Sequence, residues 1–148
     1  MLFFSFICPP AQAGEVHGAS DAYAGNGVAI AWGVLRGANE DSTTVVLRLA
    51  VDAKRYSRVE VAGVDPFTRD TKIRVAATAL GAGLDLRLPR AGFAEYPRTE
   101  LRFSGAQSLV VYYLGIPDTT PEFASAAALE AHLRARLTKL RKSGSEPD

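Results

Sequence analysis

Sulfur and histidine are scarce in this chain of 148 residues, which contains one Cys, one Met and two His. Cys8 and Met1 both fall within residues 1–13. A single cysteine cannot build an internal disulfide framework. If residues 1–13 are absent from the mature chain, no thiol or thioether is left for disulfides, thiolate chemistry or soft-metal binding. The sequence therefore excludes a redox function that depends on sulfur.

Net charge is also small, because 17 Lys and Arg residues stand against 16 Asp and Glu residues, a formal balance of +1. Such a chain has no overall field that would attract nucleic acid or an anionic membrane. The sequence therefore predicts no nucleic-acid partner. Its 47% hydrophobic and 22% charged residues are typical of a folded chain, and its length suits one domain.

The sequence motifs of common enzyme and metal sites are missing. No Walker A sequence, no HExxH, no GxSxG and no paired-cysteine metal motif occurs. The glycine pairs at 25–27 and 81–83 each precede a predicted strand, whereas a dinucleotide-binding loop follows a strand and opens a helix. The acidic residues are scattered, and those at turns or helix starts are explained by backbone capping. The sequence accordingly predicts no catalytic residue, no cofactor and no metal ligand.

Only two histidines are available for acid–base or metal chemistry. His132 lies beside Leu133 on a predicted helix, where a packing or solvated role is the simpler interpretation. His17 would be the third residue of a chain cut before Glu15, an arrangement that binds Cu(II) in a plane. That cut requires a small residue where Gln12 stands. The sequence therefore favours a different cut, which leaves no such site.

Residues 1–13 differ from everything that follows. An apolar block over 2–8 is followed by two prolines and then by Ala11-Gln12-Ala13. This order is typical of a secretory signal peptide cleaved before Gly14, and the block is too short to span a bilayer as a helix. The sequence predicts a periplasmic or secreted protein, with no transmembrane segment in the mature chain. Residues 14–26, rich in small residues and without periodicity, are predicted to be a flexible lead-in.

Alternating apolar and polar residues predict about seven strands between residues 27 and 118. In the clearest, Val45, Leu47 and Leu49 fall on one face and Arg48 on the other, the pattern of a strand with one buried face. The predicted strands cover residues 27–36, 43–52, 57–64, 70–80, 84–88, 98–104 and 107–115. No helical stretch separates them, which argues against a parallel sheet. The predicted fold is mainly β, an antiparallel β-sandwich of the immunoglobulin-like or fibronectin-III-like kind.

One amphipathic helix is predicted over residues 119–142, at the C-terminal side of the sandwich. Thr120 offers a capping hydroxyl, Pro121 suits the first helical position, and Glu122 places an acid in the first turn. Its apolar stripe is Leu129, Leu133, Leu137 and Leu140. Basic residues gather toward its C-terminal end, where they complement the helix dipole. Residues 143–148 are predicted to be a polar tail.

These features predict an exported, non-enzymatic accessory or protein-interaction module whose partner is another exported or envelope protein. With no chemical site evident, a sandwich edge or the helix would make the contact. The candidate partner-binding residues are Leu133, Arg134, Leu137 and Arg141 on the helix.

Two other functions remain open. A carbohydrate or small-ligand binding sandwich would present an exposed aromatic cluster flanked by Asp and Arg. The candidate residues for that cluster are Trp32, Tyr56, Tyr96 and Tyr113. An enzyme of unfamiliar type would need a pocket in which His132 or a desolvated carboxylate meets Arg or Tyr donors.

Overall fold

Residues 14–17, 22–65, 67–90, 98–114 and 121–142 are described by a computed structural model of the chain. They form two β-sheets packed face to face and one helix on the outer side of the second sheet. The strands are β1 (Gly14–His17), β2 (Ala22–Gly25), β3 (Val28–Leu35), β4 (Thr44–Val51), β5 (Tyr56–Val64), β6 (Thr71–Ala77), β7 (Ala82–Pro89), β8 (Arg98–Gly105), β9 (Ser108–Leu114) and β10 (Glu122–Phe123). Helix α1 spans Ala126–Lys142, and a short 3-10 helix spans Glu40–Ser42.

The two sheets have different strand orders. Sheet A runs β1-β9-β8-β5-β6, and sheet B runs β10-β3-β4-β7 with β2 also paired to β3. Neighbouring strands are antiparallel except for β1 with β9 and β10 with β3, which are parallel. The predicted antiparallel β-sandwich with one C-terminal helix is thus confirmed, and the seven predicted strands are β3 to β9. The immunoglobulin-like or fibronectin-III-like type stays a prediction.

The main core lies between the sheets. Ile30 and Trp32 of β3 point into it from sheet B, and Val61 of β5 and Leu101 of β8 meet them from sheet A. All four are fully buried. Removing side chains of this size from water stabilises the fold by about 1.5–3 kcal/mol each.

Strand β3 alternates large and small residues because its two faces meet different partners. Its large residues face the core, whereas Ala31 and Gly33 lie under α1. A Cβ atom on Gly33 would lie only 2.8 Å from Cδ1 of Leu129, so a larger residue there would force the Leu129 side chain to move. Small residues on this face therefore set how closely α1 docks.

Strand β4 is buried on both faces, beyond the single buried face that its alternation predicts. Val45 and Leu47 join the main core, while Val46 packs under Leu129 and Leu133 of the helix. Burial of the face that carries Val46 depends on α1, which lies far away in the sequence.

The structure differs from the sequence prediction at the predicted lead-in. Residues 14–26 contain two strands, β1 and β2, of four residues each. The first adds to sheet A beside β9, and the second forms a hairpin with β3 through Asn26 and Gly27, both at positive φ. Strands this short carry too few residues for a visible periodicity.

The helix begins at Ala126 rather than at 119, so its predicted start is wrong. Glu122 and Phe123 instead pair with β3, and the carbonyl of Pro121 accepts a hydrogen bond from the N–H of Val34 at 2.9 Å. Ser125 is the cap, because its Oγ accepts from the N–H of Ala128 at 3.2 Å. The predicted signal peptide and polar tail lie outside the described residues.

Candidate functional site: the open β6 edge

One side of the sandwich is left open by its edge strands. Sheet A ends at β6 and sheet B ends at β7, and the two strands contact each other where the chain crosses between the sheets. Within the part of the chain that the structure describes, no strand pairs with the outer side of β6. Four apolar residues on this side pack against the core but stay partly exposed: Val75, Ala77, Leu80 and Leu84. The core is therefore incompletely covered here, and we call this side the open side.

The hairpin leading into β6 adds exposed apolar surface to the open side. Phe67 is 92% exposed and Ile73 is 46% exposed, and these are the exposed large apolar side chains found among the described residues. Single exposed apolar residues are common on proteins, but these two belong to one hairpin arm, residues 67–77, whose strand also carries the partly exposed Val75 and Ala77. We call residues 67–77 the β6 arm.

The turn that carries Phe67 is held by backbone hydrogen bonds. The carboxylate of Asp65 accepts from the N–H of Phe67 at 2.9 Å, and the carbonyl of Asp65 accepts from the N–H of Arg69 at 2.8 Å. The N–H of Asp65 in turn donates to the carbonyl of Asp70 at 2.9 Å. Arg69 completes the turn at a φ of 70°, in the left-handed region. Phe67 therefore lies in a hydrogen-bonded turn.

Ile73 is exposed because of an irregularity in the pairing of β5 with β6. Val75 stands opposite Val61, but Ile73 stands opposite Ala62, so the register shifts and Arg74 is the extra residue. Since Val61 and Ala62 are consecutive, their side chains lie on opposite faces of the sheet. Ile73 therefore leaves the core face that simple alternation with Val75 predicts.

The β6 arm is basic. Arg69, Lys72 and Arg74 are its cations and Asp70 is its acid, which gives residues 67–77 a net charge of +2. Arg69 and Lys72 are exposed, and Arg74 is half-buried. The arm therefore holds a larger net charge than the whole chain, which carries +1.

A second cluster of charges binds α1 to sheet B. The guanidinium of Arg48 donates to both carboxylate oxygens of Asp85 at 2.7 and 2.9 Å and to both of Glu130 at 2.9 and 2.6 Å. These hydrogen bonds raise the pKa of Arg48 above its ordinary value, and those to Asp85 contribute most. With every carboxylate oxygen engaged by one guanidinium, the cluster acts as a clamp between β4, β7 and the helix.

Glu122 forms a comparable clamp on β10. Its Oε2 accepts from Arg90 at 2.6 Å, and its Oε1 accepts from Arg36 at 3.3 Å. The hydrogen bond from Arg90 is the main reason that the pKa of Glu122 lies below its ordinary value. Both charge clusters are explained by the attachment of β10 and α1 to sheet B.

The structure does not place the predicted aromatic candidates in an exposed cluster. Trp32 is 0% exposed and Tyr56 is 1% exposed, so both are core residues and the prediction that they face a ligand is wrong. Trp32 lies on the inward face of β3, and the Tyr56 ring packs at 5.6 Å from the Phe103 ring. Tyr96 lies outside the described residues. Of Tyr113 only the backbone is described, opposite Thr99 in β8.

The candidate residues on the helix divide into two groups. Leu133 is 0% exposed and Leu137 is buried, both against sheet B, so the prediction that they contact a partner is wrong. The sandwich itself covers the leucine stripe. Arg134 and Arg141 are exposed, and Arg134 donates to Glu130 at 3.1 Å.

The outward side of α1 bears a shallow cavity of about 590 Å³. It is lined by Ala131, Arg134, Ala135, Thr138, Lys139 and Lys142. These small residues and long cations of one helix offer no fixed polar group that would orient a small molecule. The cavity therefore gives no reason to place a ligand there.

His132 is packed rather than poised for catalysis. Its ring lies 5.0 Å from the Phe123 ring, and its Nε2 atom is buried without a hydrogen-bond partner among the described residues. General acid–base catalysis needs an oriented donor or acceptor at such an atom. The contact of His132 with Phe123 instead helps to join α1 to β10.

The residues of the open side were missed by sequence reasoning. Asp65 to Thr68 indicates a turn, and nothing in that pattern distinguishes a displayed Phe67 from one that folds back onto the core. The one available signal was a large aromatic residue within an otherwise polar turn sequence. The exposure of Ile73 depends on the register shift, which alternation does not reveal.

No family model, curated protein or solved structure matches this chain. Among the described residues, no helix is both long and apolar enough to cross a membrane, and no three His, Cys, Asp or Glu side chains are grouped as metal ligands would be. The assignment of the fold and of the open side therefore rests on the structure of this chain alone.

Proposed function

We propose that this protein is a non-enzymatic interaction module that binds another exported protein by adding a strand of that partner to β6. The observation that carries the proposal is the open side, where no described strand pairs with the outer edge of β6 and core residues remain partly exposed. A partner strand paired to β6 would satisfy the backbone groups of that edge and cover those residues together.

The helix is the weaker contact surface. Its leucine stripe already packs against sheet B, and its outward side carries small residues and cations. A few anchors, often aromatic residues or Arg, contribute most of the free energy of typical protein interfaces, and in the described residues the exposed large apolar side chains lie on the β6 arm.

Site-specific photocrosslinking in the native host tests this proposal. A photoreactive benzoylphenylalanine replaces Ala76, an exposed residue of β6, and in a matched control it replaces Ala135, an exposed residue on the outward side of α1. We expect one discrete protein adduct from position 76 and none of that size from position 135. No adduct from position 76, or the same adduct from both positions, would contradict strand addition at β6.

A further inference from the structure

The apolar and charged residues of the β6 arm indicate which kind of partner segment would bind there. We infer that β6 receives an extended, acidic segment with aliphatic residues at alternate positions, and that Phe67 anchors the partner beside it. This inference rests on the proposed function, since it specifies the occupant of the same edge.

The requirement for alternate aliphatic residues comes from the uncovered core. Val75 and Ala77 stand opposite Val61 and Val59, whose side chains are buried between the sheets, so they lie on the inward side of β6. Consecutive residues of an added strand point to opposite faces. Every second side chain of that strand would therefore lie against the inward side and cover Val75, Ala77 and the neighbouring Leu84.

The requirement for acidic residues comes from charge. The β6 arm carries a net +2, with Arg69 and Lys72 exposed at the start of the strand. A second copy of this chain would set two β6 arms of net charge +2 side by side, and like charges across paired strands are destabilising. Lys72 stands opposite Gly63, two residues from Val61, and so shares the inward side of β6 with Val75. Acidic side chains at the end of the added strand that lies beside Arg69 and Lys72 meet these cations favourably.

Phe67 supplies the anchor. An aromatic residue held out from a hydrogen-bonded turn loses little conformational entropy when it enters an apolar pocket. A lipid bilayer is a poorer match, because lipid-binding clusters typically hold about four to eight cations, whereas the β6 arm has Arg69, Lys72 and Arg74 together with Asp70. A pocket on a protein is therefore the better match for Phe67.

Binding of two blocked synthetic peptides tests the charge and the pattern. Each is long enough to span β6; glutamate alternates with valine in one, and lysine alternates with valine in the other. We expect the glutamate peptide to shift the backbone amide NMR signals of residues 71–77 and to bind at least about tenfold more tightly than the lysine peptide. Equal binding of the two peptides, no binding, or shifts confined to residues outside the open side would overturn the inference.

Charge reversal on the arm provides the matched comparison. Arg69→Glu with Lys72→Glu should abolish the preference for the glutamate peptide, whereas Arg141→Glu with Lys142→Glu makes the same change in net charge on exposed helix residues and should leave it intact. Thermal unfolding measured for both variants confirms that each is folded. If the two double variants weaken binding equally, the preference reflects net charge alone and the inference falls.

Phe67→Ala tests the anchor. With the photoreactive residue at position 76, this substitution should reduce the yield of the partner adduct by about tenfold or more. Sedimentation with phosphatidylglycerol and phosphatidylethanolamine vesicles serves as the opposing assay, and Phe67-dependent binding to these vesicles would overturn the assignment to a protein. An adduct that persists unchanged in Phe67→Ala and in the arm charge-reversal variant would leave strand addition standing and refute the inference about its occupant.

Discussion

Tyr56 shows how one side chain joins two parts of the fold. Its ring packs in the core, and its hydroxyl donates to the carbonyl of Asn26 at 2.8 Å in the turn between β2 and β3. Asn26 has a φ of 54°, so this turn adopts a left-handed backbone that the hydrogen bond helps to hold. Burial raises the pKa of Tyr56 above its ordinary value, as expected for a hydroxyl withdrawn from water.

Tyr56→Phe should therefore lower the free energy of unfolding by about 0.5–1.5 kcal/mol, since it removes the hydroxyl that donates to Asn26 and keeps the packing. Denaturant unfolding measures this change. Tyr23→Phe is the control, because the Tyr23 hydroxyl accepts an exposed hydrogen bond, from the side-chain amide of Asn26 at 2.7 Å. A loss in Tyr23→Phe as large as that in Tyr56→Phe would show that the buried hydrogen bond contributes nothing special.

At the scale of elements, the attachment of α1 depends on charge as well as on leucines. Hydrogen bonds from Arg48 first, and then from Arg134, lower the pKa of Glu130 from 4.5 to about 2 in the folded protein. Because that pKa is lower than in the unfolded chain, the ionised form stabilises the fold fully above pH 4.5. This stabilisation is lost as the pH falls toward about 2.

Thermal unfolding between pH 6 and pH 2 tests the clamp through Glu130→Gln, which cannot ionise. We expect the native chain to be more stable than this variant at about pH 6. The difference in their unfolding temperatures should shrink as the pH falls through about 4.5 to about 2. A difference that stays constant across this window would show that Glu130 gains nothing from being ionised.

The elements differ in how far sequence reveals them. The alternation in β4 and β5 predicts strands that the structure confirms, because one face of each meets a core and local pattern records that burial. Thr120 and Pro121 fail as a helix start because β10 pairs with β3, a contact between residues far apart in the chain. The open side could not be predicted from the sequence for the same reason. The exposure of Phe67 and Ile73 is set by neighbouring residues and by strand register, not by the local sequence.

At the scale of the whole molecule, export is the prediction that the proposed function requires. Residues 1–13 have the composition of a signal peptide, and the predicted cut leaves Gly14, the first residue of β1, as the new N-terminus. Fractionation of the host followed by mass spectrometry of the purified protein should place it outside the cytoplasm with Gly14 first. A variant lacking residues 2–13 should remain inside the cell. Detection of an intact chain in the cytoplasm alone would contradict export.

The two parallel strand pairs have a consequence for how the chain folds. Pairing of β1 with β9 joins His17 to Tyr112, and pairing of β10 with β3 joins Phe123 to Leu35. Both contacts close very long loops, so the sandwich has a high contact order and is expected to fold slowly. Neither sheet reaches its full width until the last third of the chain is present. An unfinished chain is therefore expected to stay incompletely paired until β9 and β10 are present to complete the two sheets.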